Sequence, residues 1–442
     1  MISRSQAYRL LPVIDGGILV AALAAALAFR FGGSAFQDQW NLHLTPFLLV
    51  FLLWIVIFRM HDLYNPYQSL DVRKLFENTL RAFTIDIGVA TIFFYAIPYF
   101  GITPRKNLLL IGGVGIIAFA CWRLAFTLFI RTYVPLKIFL IGDAPEMRVV
   151  ATHIAAHPEL GMSSEVYHEL TDTMVATMTA TAQNYYVVLP ESTKSSSTLM
   201  KQMYALLPSG VQVVDFASFY ERLFQKIPVS LITELWFLEH IVEVKKPFFS
   251  MLKRFVDIVL GICIGAITLL LTPLIALAIK LDSNGPIILP NHYRIGKNGK
   301  RFQLYKFRSM GNNAEKHGPQ WTQKNDPRIT RVGKYLRELR LDELPQVLNI
   351  LKGDMSFIGP RPERPEFVEG LKKEIPFYDM RHLVKPGLSG WAQINPPYYY
   401  AGTDETIIKL QYDLFYIKNR STMLDASVLL KTVAVLLSRR GH

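Results

Sequence analysis

Five long apolar runs limit what this chain can fold into. Four come early, at about 10–31, 45–60, 82–100 and 107–130, and the fifth covers 255–279. Each has about the length needed to cross, or nearly cross, the hydrocarbon core of a bilayer. Half of the 442 residues are apolar and they are bunched, which fits membrane segments better than one large soluble core. The first run is too long, and lacks a small-residue cleavage site, to read as a signal peptide. Lys and Arg in the short connections orient the first four runs. Arg4 and Arg9 precede them, and Arg59, Arg73, Lys74 and Arg81 lie around the second connection. The connection at 31–44 has no such residue, and Arg131 and Lys137 follow the fourth run. Both ends of a four-helix transmembrane bundle, residues 1–135, are therefore expected on the cytoplasmic side. Asp15, Asp86 and Arg123 lie inside the runs. An ion pair, most simply Asp86 with Arg123, would offset their burial as a structural staple. Cys121 and Cys263 have neither disulfide nor metal spacing and read as buried thiols.

Residues 136–247 read as a Rossmann-like α/β module. Strand-like runs at 136–141, 185–189 and 211–216 alternate with helical stretches, the pattern of a parallel sheet. The first turn, Gly142-Asp143, has one glycine where a dinucleotide fingerprint has three, so NAD binding is not expected. A regulatory or oligomerising role suits the module, and with it a homodimer.

The formal charge of +13 is unevenly spread: residues 1–250 hold 19 Lys+Arg against 18 Asp+Glu, and residues 251–442 hold 29 against 17. A basic region that starts with a membrane segment suits anionic headgroups and phosphorylated substrates, not nucleic acid. The fifth run is flanked by Lys253 and Arg254 before it and Lys280 after it, and contains Pro273. Cations at both ends, with a helix-breaking proline inside, favour a re-entrant helix over 251–281 that enters and leaves by one face. Thr272 is expected to help satisfy the carbonyl that Pro273 frees.

The densest chemical signal lies in 300–363. It contains Lys306-Phe307-Arg308-Ser309-Met310, Asp326-Pro327-Arg328, Leu341-Asp342-Glu343-Leu344-Pro345-Gln346 and Pro360-Arg361-Pro362. Lys385-Pro386-Gly387-Leu388-Ser389-Gly390-Trp391 and Tyr412-Asp413 follow. The helical spacing of Leu344, Val347, Leu348 and Leu351, with Pro345 suited only to a first turn, puts Asp342 at a helix start. Free N–H groups there favour phosphate and keep a carboxylate ionised. Adjacent carboxylates suit Mg²⁺ shared with substrate phosphates. Lys306, Arg308, Arg328 and Arg361 supply anion-binding side chains, and the two prolines stiffen Arg361. Gly353, Gly359 and Gly387 read as turns that let backbone approach a ligand. No partner spacing supports a catalytic role for His292, His317 or His382.

From about Lys253 onward, these motifs resemble the bacterial sugar transferases, the monotopic polyprenyl-phosphate phosphoglycosyltransferases. The four apolar runs and α/β module are similar to the long members, which act as undecaprenyl-phosphate galactose or glucose phosphotransferases. The resemblance implies a mainly helical catalytic domain over 248–442, on the cytoplasmic face of the bacterial inner membrane. It implies transfer of hexose-1-phosphate from a UDP-sugar to undecaprenyl phosphate, starting a capsule, exopolysaccharide or O-antigen unit. Asp342 would carry a phosphosugar intermediate and Glu343 would help hold Mg²⁺. Lys306, Arg308, Arg328 and Arg361 would bind the donor, and Lys253, Arg254 and Asp257 would meet the lipid phosphate. A catalytically inactive membrane scaffold is the competing expectation. It predicts a broken acidic pair or a lost anion clamp, and both are intact.

Overall fold

The computed structural model describes residues 4–33, 35–67, 70–97, 105–171, 174–176, 185–190, 197–206, 208, 211–241, 246–290, 292–312, 314, 318, 320, 326–395 and 403–437. It is mostly helical, with several long apolar helices and a small parallel sheet. The chain forms two compact units, Met1–Leu223 and Phe224–His442.

The first unit opens with α1 (Arg4–Phe31), α2 (Ala35–Met60), α3 (Val72–Ala96) and α4 (Arg105–Tyr133). All four are long and apolar enough to cross a membrane. α1 packs on α2 and α4, and α3 packs on the same two helices. Trp54, Phe58, Phe83 and Phe119 interlock at the centre, with ring centroids 4.7–5.7 Å apart. The outer faces carry exposed Phe29, Ile92 and Ile117, more apolar surface than a soluble protein leaves uncovered. Cys121 and Cys263 are both exposed, which corrects the expectation of buried thiols. Each faces outward with apolar neighbours at helical spacing, Ile117 and Leu124 beside Cys121, Val259 and Leu270 beside Cys263.

The buried ion pair joins Arg123 to Asp15, at 2.7 Å, and not to Asp86. α1 and α4 are neighbours and turn these two side chains toward each other. Arg123 also donates to Leu63 O at 3.0 Å. The Asp86 carboxyl is fully buried with no hydrogen-bond partner among the described residues, while its backbone carbonyl accepts from Trp54 Nε1.

A four-stranded parallel sheet follows, built from β1 (Leu136–Ile141), β2 (Met162–Tyr167), β3 (Tyr185–Leu189) and β4 (Gln212–Asp215) in the order β2-β1-β3-β4. Helices α5 (Pro145–Ala156), α6 (Ser197–Leu206) and α7 (Phe216–Phe224) connect or follow the strands. The continuous apolar runs of β1 and β3 are explained by burial on both faces. β2 lies at an edge with only Met162 of its six residues buried, and its polar sequence Met-Ser-Ser-Glu-Val-Tyr hides it from an apolar-run reading. The third strand-like run forms β4 and ends at Asp215, whose carboxylate caps α7 by accepting from Ser218 N.

In the second unit, α8 (Glu234–His240) precedes α9 (Pro247–Asp282), a single 36-residue helix about 54 Å long at 1.5 Å per residue. Near its start, Arg254 donates to Ile350 O and Leu351 O, and Asp257 accepts from Ser356 Oγ and Phe357 N. Near its end, Ile275 and Ile279 pack with Phe307 and Leu336, and Asp282 accepts from Val332 N. Between them Gly261 allows close approach, since a Cβ there would stand 2.8 Å from Leu351 Cδ2. The opposite flank is apolar and exposed, at Phe255, Ile262, Leu269, Leu270, Leu277 and Leu281. Pro273 does not interrupt the element, so the expected break is absent as a gap in the helix. Thr272 Oγ1 donates to Thr268 O at 2.7 Å. It therefore serves the carbonyl one residue before Leu269, whose carbonyl is the one that lacks its proline partner.

The remaining elements fold against this helix. β5 (Tyr293–Ile295) and β6 (Arg301–Gln303) form a hairpin. α10 (Arg331–Glu338) leads into a 3₁₀ helix (Leu341–Gln346) that continues as α11 (Val347–Lys352). β7 (Ser356–Ile358) pairs in parallel with β8 (Gly387–Ser389). α12 (Pro365–Glu374), α13 (Trp391–Ile394), α14 (Thr403–Asn419) and α15 (Thr422–Leu437) complete the unit.

Candidate functional site

The acidic pair sits in the first turn of the 3₁₀ helix, one turn before α11. Arg340 precedes it in the left-handed conformation (φ 56°), which turns the chain sharply out of α10. Leu341 and Leu344 pack against Ile275, Ile279, Phe307 and Leu336, fixing the turn to the far half of α9. The segment around Lys306 runs beside it, with Phe307 N donating to Asp342 O at 3.0 Å. Asn349 holds the two together by accepting from Tyr305 N and donating to Gln303 O. Lys306 reaches the acids for this reason, 36 positions before Asp342 in the chain.

Lys306 Nζ lies 2.8 Å from Asp342 Oδ2 and 3.9 Å from Glu343 Oε1, and Arg361 Nη2 donates to Glu343 Oε1 at 2.6 Å. Arg340 Nη1 is 3.9 Å from the same oxygen. Burial works against the Glu343 charge, but Arg361 and Lys306 outweigh it and hold the carboxyl down at about 2. Asp342 Oδ1 differs from these atoms: it is buried and has no hydrogen-bond partner among the described residues. Burial, then Arg294, Arg364, Lys306 and Arg361, push His292 down to about 2. The side chain is therefore neutral, and the number of cations around it measures how electropositive the site is.

Arg361 is held from behind. Its carbonyl accepts from Arg381 Nη2, and Gly387 N donates to Pro360 O. Arg381 is itself buried against Asp413 (2.8 Å) and the Tyr378 hydroxyl. Gly359 and Gly387 bring β7 and β8 backbone to backbone, a Cβ on Gly359 standing 2.5 Å from Lys385 O. They serve chain packing here, not approach to a ligand.

The other sequence candidates lie elsewhere or are already engaged. Arg308 is buried and donates to Ser283 O, Asn284 O, Pro286 O and Asn312 Oδ1, so it ties the end of α9 to the core. Arg328 forms a two-point pair with Asp326. Lys253 contacts Asp425 at 2.6 Å and the Tyr416 hydroxyl, and Arg254 caps the end of α11. Asp257 is committed to the start of β7. His382 is buried and His317 lies outside the described residues.

Arg337 on α10 is a residue that the motifs did not mark. It is half-buried, and among the described residues its guanidinium has no hydrogen bond or ion pair. Burial lowers its pKa, while Asp342, Asp326 and Glu343 act to raise it. Its signal was the spacing of Arg331, Lys334 and Arg337 along one helix.

Among the described residues no three metal-binding side chains gather. Mg²⁺, however, is often held by one or two carboxylates plus substrate phosphates and water. The ionised Glu343, adjacent to the Asp342 carboxylate, fits that modest demand.

The sequence model of the bacterial sugar transferases matches residues 248–439. An Aeromonas hydrophila UDP-N-acetylgalactosamine-undecaprenyl-phosphate N-acetylgalactosaminephosphotransferase is 47% identical over 195 residues, 44% of this chain and 46% of that protein. The Escherichia coli (strain K12) UDP-glucose:undecaprenyl-phosphate glucose-1-phosphate transferase is 44% identical over 191 residues, 41% of this chain and 39% of that protein. This chain thus covers less than half the length of these two relatives. A Caulobacter vibrioides UDP-glucose:undecaprenyl-phosphate glucose-1-phosphate transferase is 38% identical over 192 residues, 42% of this chain and 70% of that protein. With a match of that extent and a site assembled from the same motifs, this chain belongs to the bacterial sugar transferase family.

Proposed function

We propose that this chain transfers a sugar-1-phosphate from a UDP-sugar to undecaprenyl phosphate at the cytoplasmic surface of the bacterial inner membrane. The observation that carries the reading is Asp342: a buried carboxylate with Oδ2 held by Lys306 and, among the described residues, no hydrogen-bond partner for Oδ1. Oδ1 attacks the sugar-linked phosphorus of the donor. The bond between the two phosphates breaks, and UMP leaves with the electron pair. An oxygen of undecaprenyl phosphate then attacks the same phosphorus, and the aspartyl oxygen leaves. Covalent catalysis suits a soluble donor and a lipid acceptor that need not meet. Lys306, Arg361 and Arg337 neutralise the donor phosphates, the main demand of phosphoryl transfer. Arg308 and Arg328 position the surrounding loops. Asp342 and Glu343 would hold Mg²⁺, which supplies charge neutralisation at the diphosphate when bound. The sugar is drawn from the set named among the relatives: glucose, galactose or N-acetylgalactosamine.

Topology follows the same logic. Polar residues of one unit grip α9 near both ends, at Asp257 and at Asp282. A straight span would carry one of those contacts through the hydrocarbon, which favours a helix that enters and leaves by one face. α1–α4 form the transmembrane bundle in this reading, and the β1–β4 module is regulatory or joins two copies.

The test is donor cleavage without lipid. Purified protein with Mg²⁺ and a UDP-sugar should release about one UMP per site, and Asp342→Asn should release none. Absence of release from the natural protein with all three donors counts against the covalent step.

A further inference from the structure

A second basic site lies at the other end of α11. Gly353 closes that helix in the left-handed region (φ 92°) and leaves an open notch where a side chain would stand. A Cβ there would be 3.4 Å from Lys385 Nζ and 3.7 Å from Arg254 Nη2. Two cations thus face one small space. Arg254 donates one N–H from each terminal nitrogen to Ile350 O and Leu351 O, and its other donors are uncommitted among the described residues. Lys385 is half-buried and has no hydrogen bond or ion pair among them. The nearby acids Asp257 and Asp354 act to raise its pKa but do not outweigh burial and Arg254. Asp257 is committed to Ser356 and Phe357, and Asp354 lies against Asn349 at 3.4 Å. Burial, then Arg254, lowers the Lys385 pKa, as expected for an ammonium without its anion.

The position of the notch narrows what fills it. Met251, Phe255 and Ile258 surround Arg254 on α9, and all are exposed and apolar. The cations therefore sit where the apolar flank of α9 begins, the height of lipid headgroups once that flank lies in a bilayer. The site is separate from the acidic pair, because the 3₁₀ helix and α11 put roughly 20 Å of helical rise between Asp342 and Gly353.

We infer that Lys385 and Arg254, around the notch at Gly353, bind the phosphate of an anionic membrane phospholipid and fix the second unit against the leaflet. This rests on the membrane seating of α9 proposed above, and extends it by naming the ligand class and the residues that take it. Lysine acts as a point charge and arginine supplies directed donors, a pairing suited to a phosphodiester. The charge loss in Lys385→Gln removes the attraction, whereas Lys385→Arg retains it.

The test uses the full chain in detergent and native mass spectrometry, with phosphatidylglycerol, phosphatidylcholine or inorganic phosphate added. The natural protein should retain one more phosphatidylglycerol than phosphatidylcholine. Lys385→Gln should weaken that adduct five- to tenfold, and Lys385→Arg should restore it to within about twofold. Equal retention of phosphatidylglycerol by Lys385→Gln overturns the inference, as does displacement of the lipid by millimolar inorganic phosphate. UMP release is measured on the same samples. Loss of the lipid adduct with release intact upholds the separate site. A retained adduct in a protein that releases no UMP defeats the transferase reading and leaves the lipid site standing.

Discussion

Replacing Glu343 by Gln removes one negative charge from a site built around two. The carboxyl is held at about 2 against an ordinary 4.5, so its surroundings favour the ionised form by about 3 kcal/mol. Arg361 donates to it at 2.6 Å, and Lys306 and Arg340 lie 3.9 Å away. Glutamine keeps an acceptor for Arg361 but leaves the cations under-neutralised, so the expected loss is about 1–3 kcal/mol. For a unit of this size that is a fall of several degrees in midpoint, at about 2–4 °C per kcal/mol. The pH dependence gives the sharper check. A depressed carboxyl contributes stability that is present above its unfolded pKa and is lost as pH falls toward its folded pKa. The difference between natural protein and Glu343→Gln should stay constant from pH 8 to pH 5, then shrink below about pH 4.5. Thermal unfolding of both proteins across that range, followed by intrinsic fluorescence, reads it directly. Equal midpoints at pH 7, or a difference that already shrinks at pH 6, would refute this account of the charge balance.

Other perturbations probe separate parts of the molecule. Arg337→Gln should raise KM for the UDP-sugar at least tenfold and shift the melting midpoint by less than 2 °C, because among the described residues the side chain has no hydrogen bond or ion pair to lose; an unchanged KM rejects its role. Asp15→Asn leaves Arg123 buried without its counter-charge, and should cost about 3–5 kcal/mol, whereas Asp86→Asn should cost under about 1 kcal/mol since no partner depends on it. Denaturation in detergent compares the two, and a larger loss at Asp86 contradicts the observed pairing. Burial, then Arg381, holds His382 at about 4, so it is neutral when folded and gains a proton on unfolding. Between pH 7 and pH 5 this costs about 2 kcal/mol, and His382→Gln should lose less stability over that interval than the natural protein does.

The apolar elements were legible because their signal is local. Length and hydropathy alone mark α1–α4 and α9, and continuous apolar runs mark β1 and β3. β2 was missed because an edge strand half open to solvent carries polar residues. The Arg123 partner was misread for a different reason: three charges at one depth allow more than one pairing, and only helix neighbours decide which two meet. At the site, the acidic pair, Lys306 and Arg361 stood out as dense motifs. The division of labour among the arginines did not. Arg308 and Arg361 look alike in sequence, yet one is spent on four carbonyl and amide oxygens and the other faces Glu343. Apart from Asn312, the partners that make this difference lie 18–25 residues away in the chain.

One helix carries a mechanical consequence. A greasy rod clasped near each end by the same polar body cannot tip without dragging that body with it. Sinking would push charged groups into oil, and rising would expose a row of leucines to water. In the seating proposed above, both displacements would meet a restoring force, and the proposed site would ride at a set height, as a float does. An acceptor whose tail never leaves the oil can then be served without being lifted out.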